Sequence, residues 1–166
     1  MNSTEREAWI AADTAAREAV LAEAAAEGFD PQRLLNLGYR DPKRLQAHLD
    51  LMRESRDYAP QVGDGMTMAY PQDYYPYVIV RVSPSGKTVW VKPLEEVSTK
   101  TGHSPARYDG PFPVWEHTYT DEERKSMIRN DAPEQKVTRS RDGLSWSLHG
   151  TPMLRGGAGY RRNYSY

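Results

Sequence analysis

The sequence predicts an α+β protein: an N-terminal helical segment of three helices over residues 1–60, followed by a small SH3-like antiparallel β-barrel over residues 61–166. Three observations predict this. Helix-start signals and 3.6-residue periodicity fill the first sixty residues. From Val62 the period changes to two, in VGDGMTMAYPQDYYPYVIVRVSPSGKTVWVK, where two β-prone runs flank the turn SPSG. Further on, Arg141-Asp142-Gly143 stands between alternating residues, which is a second hairpin signal.

Taken in order, Thr4 and Glu7 form a Thr-x-x-Glu capping box before an Ala-rich run, so the first helix spans Thr4 to Glu27 and stops at Gly28. Its large apolar residues are few: Trp9, Ile10, Val20 and Leu21. Asp30-Pro31 and Asp41-Pro42 each place a capping acid before a proline at the first helical position. They start a short helix to Leu37, ended by Gly38, and a longer one to Tyr58, ended by Pro60. On the latter, Leu45, His48, Leu49 and Met52 share one face, which makes His48 a packing histidine rather than a ligand.

In the β part, the expected strands are Met66–Tyr70, Tyr77–Val82, Lys87–Lys92, Val114–Tyr119, Lys136–Ser140, Leu144–His149 and a closing strand in Tyr160–Tyr166. On the third run Thr88, Trp90 and Lys92 share one face, and Val89 and Val91 the other. A long loop covers residues 93–114. Thr120 and Glu123 form a second capping box, so a helical insertion is expected over residues 121–129.

The composition bounds the function. The 166 residues allow one ordinary domain or a small domain with an appendage. Hydrophobic content of 38% with mean hydropathy −0.81 predicts a compact core with polar connections rather than a large enclosed cleft. Without cysteine there is no thiol nucleophile, disulfide or Cys-based zinc site, and a reducing, cytoplasmic setting is expected. No run approaches the length of a membrane span, and the charged N-terminus does not read as a signal peptide. The net charge of −1 conceals an asymmetry: residues 136–166 hold six basic side chains and one acid. That concentration suggests an anion-facing surface.

Catalytic signatures fail their context tests. Gly86-Lys87-Thr88 resembles the end of a phosphate-binding loop, but Arg81 stands where the first glycine belongs, and the run sits in a hairpin turn. The glycine-rich run at residues 156–159 is not followed by a helix signal, so a dinucleotide fingerprint fails too. His48, His103, His117 and His149 have no mutual spacing suited to a metal; His103 and His117 are the best candidates. No Ser-His-Asp order appears. The expectation is a non-enzymatic protein with no cofactor and no metal.

Binding has more support. Ten of eleven tyrosines lie from Tyr58 onward, and three of four tryptophans lie in the β region. Arginine and lysine interleaved with aromatic rings suit a phosphate-bearing ligand, with charge for the phosphate and a ring for the base. The candidate anion- or nucleotide-binding residues are Arg81, Lys87, Trp90, Lys92, Arg139, Arg141, Arg161 and Arg162, with Arg155 nearby in sequence. The stacking candidates are Tyr74, Tyr75, Tyr77 and Tyr164. The central hairpin places Arg81, Lys87 and Lys92 close together with no acid among them.

Gly63-Asp64-Gly65, Asp73, Tyr75-Pro76-Tyr77, the run VRVSPSGKT and the terminal Tyr-Ser-Tyr resemble a widespread group of small phage-encoded accessory proteins of unassigned role. The likeness covers Val62 to Tyr166 with gaps; Tyr74 and Asn163 stand where the pattern has a basic residue and an aspartate. The resemblance implies a phage accessory protein in the host cytoplasm. Its barrel would bind a host protein or a nucleotide-type signal, in an anti-defence role. Two other readings stand beside it: a barrel that binds DNA or RNA, and a virion or assembly component that forms homo-oligomers through residues 4–58.

Overall fold

The computed structural model describes residues 2–97, 104–109 and 112–163, and the chain divides into two compact units that meet in sequence at Asp57 and Tyr58.

The first unit is helical: α1 (Ser3–Ala26), α2 (Pro31–Leu35) and α3 (Pro42–Asp57). Its start differs from expectation. The capping box is Asn2 with Glu5, not Thr4 with Glu7: Asn2 Oδ1 accepts the Glu5 amide and Glu5 Oε2 accepts the Asn2 amide, both at 2.8 Å. Asn caps as well as Thr does, and an acid stands at the required third position, so the helix gains residues at its N-terminus. Asp30 and Asp41 cap as the sequence predicts, accepting the amides of Gln32 and Lys43 at 3.0 and 2.9 Å. Val20, Ala24, Phe29, Leu34, Leu45, Leu49 and Met52 are buried. Arg53 on α3 reaches Glu23 and Glu27 at the end of α1 as well as Asp50 in its own helix. Its hydrogen bonds to Glu27 hold that carboxyl below the usual carboxylate range.

The second unit contains β1 (Gly65–Ala69), β2 (Tyr74–Val82), β3 (Thr88–Pro93), β4 (Arg107–Asp109), β5 (Phe112–Thr118), α4 (Asp121–Ser126), β6 (Gln135–Arg139), β7 (Trp146–Leu148), β8 (Thr151–Arg155) and β9 (Gly159–Asn163). All pairings among these strands are antiparallel. The order β1-β8-β7-β6-β3-β2 returns to β1, so six strands close into a small barrel. β2 makes closure feasible. It is nine residues long, pairs with β1 through its first half and with β3 through its second, and shifts register between Ile79 and Arg81. The remaining strands form an arm, β9-β5-β4, that leaves the barrel where Tyr74 pairs with Arg161.

Side-chain alternation then sorts the apolar residues into two cores. Met66, Tyr77, Ile79, Val89, Val91, Val137, Trp146, Leu148 and Met153 make one cluster, the filling of the barrel. Val78 lies on the opposite face of β2 and joins Leu94, Val97, Tyr119, Met127, Ala158 and Tyr160 in the second cluster. The helical insertion ends at Ser126, short of residue 129, because Met127 turns inward to this second core and Ile128 bridges to Leu94. β4 and β8 were not foreseen. β4 is three residues long, and β8 carries Pro152 on a run with little alternation.

The Gly-Asp-Gly turn proves to be a structural joint. Gly63 takes φ +96° and gives its amide to Ile79 O at 2.8 Å, while Ile79 returns its amide to Asp64 O at 2.9 Å. The Asp64 carboxylate accepts from the Tyr58 hydroxyl at 2.7 Å and from the Gln61 amide at 3.0 Å. Gly65 is required for a different reason, a close approach of backbone. A Cβ there would lie 2.3 Å from Ala158 N and 2.7 Å from the Gly157 carbonyl carbon. Two residues on, the Thr67 hydroxyl donates to Gly157 O at 2.9 Å and accepts the Gly159 amide at 2.8 Å.

Gly65→Ala should therefore destabilise the β unit by about 3 kcal/mol, since backbone cannot yield as a flexible side chain can. Gly63→Ala meets open space and should cost only about 1–2 kcal/mol of backbone strain. Urea titration of both variants checks the ordering; equal losses would contradict it.

Candidate functional site

Two places in the β unit combine accessible surface with chemistry. The first is the outward face of β2, β3 and β6. Register sets Arg81 opposite Trp90, and Trp90 opposite Lys136, so these three residues lie in a row across the strands. Lys92 lies two residues along β3 on the same face. Lys87 and Arg141, both exposed, sit in the two hairpin turns, and the Arg139 amide bonds to Lys87 O at 2.9 Å.

This face corrects one expectation. An acid does reach the central hairpin: Glu134, 53 residues from Arg81, accepts from its Nη2 at 3.0 Å and its Nε at 3.4 Å. The Arg81 guanidinium carbon also stands 3.4 Å from the centroid of the Trp90 ring. Lys92 gives a hydrogen bond to Asn130 O at 3.1 Å.

The other predicted cations lie elsewhere or are tied into the fold. Arg139 bonds to Gly143 O at 3.0 Å and covers the Trp146 ring at 5.3 Å. Arg161 and Arg162 are on the arm: Arg161 lies 3.5 Å from Glu116 and 5.9 Å from the Tyr74 ring, and Arg162 lies 3.9 Å from Glu96. Arg155 covers the Tyr58 ring at 5.5 Å. Tyr164 and His103 lie outside the described residues. His48 is half-buried, with its ring 6.1 Å from that of Tyr39. His149 is exposed in the β7–β8 turn with φ 49°.

The second place is a cleft of about 700 Å³, at the end of β2 where the arm departs. Tyr75, Pro76 and Tyr77 of β2 line it, with Pro93, Leu94, Glu95 and Glu96 after β3, and Arg129, Ala132 and Gln135 before β6. It is held rigidly. Leu94 gives its amide to Pro76 O at 3.0 Å, Glu95 to Met127 O at 2.8 Å, and Arg129 to Pro93 O at 3.0 Å. The Tyr119 hydroxyl donates to Glu95 O at 2.7 Å. Tyr75 is half-buried, whereas Tyr77 is buried in the barrel core and only borders the cleft; burial raises both phenol pKa values.

Tyr75 and Tyr77 are among the stacking candidates of the sequence, whereas Glu95, Glu96, Arg129 and Gln135 are not among its candidate residues. No local signal could have joined them, because the lining comes from three separate segments. Of the charged residues that line the cleft, Glu95 and Glu96 stand after β3, with Glu96 3.9 Å from Arg162, and Arg129 before β6 lies 3.5 Å from Asp131.

His117 is one of the better metal candidates, yet its Nε2 lies 3.0 Å from Glu123 Oε2, the carboxylate that caps α4. Among the described residues, no group of three or more His, Asp or Glu could hold a metal ion. Nor, among them, is any helix long and apolar enough to cross a membrane. The chain matches no known family model, no curated protein and no solved structure.

The Thr120 amide, and after it the His117 ring, hold the Glu123 carboxyl below its ordinary 4.5. A depressed carboxyl contributes stability that is complete above 4.5 and is lost as pH falls through the lower folded value. Glu123→Gln should therefore melt at a lower temperature than the parent at neutral pH, and the gap should narrow on acidification through that range. A gap independent of pH would contradict this.

Proposed function

We propose that this chain is a non-enzymatic binding protein whose barrel holds an extended, basic segment of a host protein in the cleft between the ends of β2 and β3. What supports the reading is the cleft lining: the half-buried Tyr75, Pro93 and Ala132 give apolar surface, and Glu95 and Glu96 bring carboxylates beside it. Aromatic grooves suit extended, proline-containing peptides, because such peptides lose little entropy on binding. The carboxylates would favour lysine or arginine in the occupant. Treating the barrel as SH3-like belongs to this proposal, as peptide grooves of this composition are common on such barrels. The phage resemblance supplies the setting, an accessory protein acting in the host cytoplasm against a defence component. A nucleotide-type signal fits the cleft less well, since its phosphates would meet Glu95 and Glu96 at close range.

The test is affinity capture from host lysate with the parent protein and two variants, Tyr75→Ala and Glu95→Lys, with thermal melting as the control for folding. The parent should retain a host protein that both folded variants release, with affinity reduced roughly tenfold or more. Retention of the same protein by all three would overturn the cleft as the site. A nucleotide released from the parent on denaturation, with no host protein retained, would overturn the reading in favour of the signal-binding alternative.

A further inference from the structure

We infer that the outward face of β2, β3 and β6 binds single-stranded nucleic acid, with the Arg81–Trp90 pair as a stacking platform and Lys92, Lys136 and Lys87 as phosphate contacts. This surface is distinct from the cleft, and the inference does not rest on the peptide reading.

The platform comes first. Arg81 stands 3.4 Å over the Trp90 centroid, a distance at which the guanidinium must lie against the face of the indole. Glu134 takes hydrogen bonds from Nε and Nη2, so the carboxylate grips one edge of the guanidinium. An edge gripped by Glu134 and one face covered by Trp90 leave the opposite face outward, and the Arg81 side chain is 53% exposed. That outward face is planar, pre-organised and not dependent on a free charge. It is the surface on which an unpaired base stacks.

The flanking cations complete the site. Lys136 is exposed directly across from Trp90, and Lys92 lies roughly 7 Å from Trp90 along β3. Lys87 is exposed in the hairpin turn, next to Thr88 at the start of β3. These lysines, with Arg81 and Glu134, leave the face net positive on a chain whose formal net charge is −1. Charge complementarity therefore selects a polyanion. The planar platform selects one with accessible bases over a duplex, whose bases are already stacked on each other. Thr88 and Thr138 lie on the same face and pair across β3 and β6, adding hydroxyl groups to it.

Fluorescence anisotropy of labelled oligo(dT) with the full chain tests this, together with a duplex of matched length and the variants Lys92→Glu/Lys136→Glu and Arg81→Lys. Oligo(dT) should bind, with affinity falling steeply as salt rises. The double charge reversal should weaken binding roughly tenfold or more and flatten the salt dependence. Arg81→Lys keeps the charge but not the plane, so it should weaken binding several-fold with the salt slope unchanged. Absence of oligo(dT) binding at low salt would overturn the inference. So would tighter binding of the duplex, or affinity unmoved by either variant in protein that melts like the parent.

Discussion

Where β1 leaves the Gly-Asp-Gly turn it passes the segment Gly157–Ala158 at a distance that admits no side chain, and much of the β unit depends on that contact. Thr67 fastens the approach from the other side by bonding both Gly157 O and the Gly159 amide. β1 belongs to the barrel, and the Gly157–Gly159 segment leads into β9 of the arm. The contact thus fixes the arm against the barrel, and the second hydrophobic core forms between them around Ala158, Tyr160 and Tyr119. Tyr119 belongs to that core and also bonds Glu95 O at the rim of the cleft, so the same core connects to the cleft. Gly65 of the first glycine-rich motif and Gly157 and Gly159 of the second meet in this packing.

Electrostatics in the β unit is arranged over long sequence distances. Glu134 meets Arg81, Glu116 meets Arg107 and Arg161, and Glu96 meets Arg162. These pairs are partly exposed, so each contributes little to stability. Their consequence is positional: on the outward face, Glu134 holds the Arg81 guanidinium beside the Trp90 ring. A tally of basic residues by sequence segment locates the charge of the last thirty residues but not its neutralisation.

The alternation in TVWVK separates Val89 and Val91 from Trp90 and Lys92, and the structure turns the two valines into the barrel core, because period-two burial is a local property. The capped starts of α2, α3 and α4 were legible for the same reason, each cap being decided within three residues. Three features were not legible. Closure of β1 onto β8, the arm formed by β9 and β5, and the cleft all depend on pairings across tens of residues. Asn2 displaced Thr4 as the cap because two overlapping boxes were available and the more N-terminal one is also complete.

The close Gly65–Ala158 approach predicts that barrel and arm unfold as one cooperative structure. Native-state hydrogen exchange measures it directly. The Ile79 amide reports on the barrel, and the Gly159 and Tyr119 amides report on the arm, all three being hydrogen-bonded. If barrel and arm open together, the three amides exchange with the same free energy and the same denaturant dependence. Arm amides that exchange through a separate, lower-energy opening while Ile79 stays protected would contradict the account.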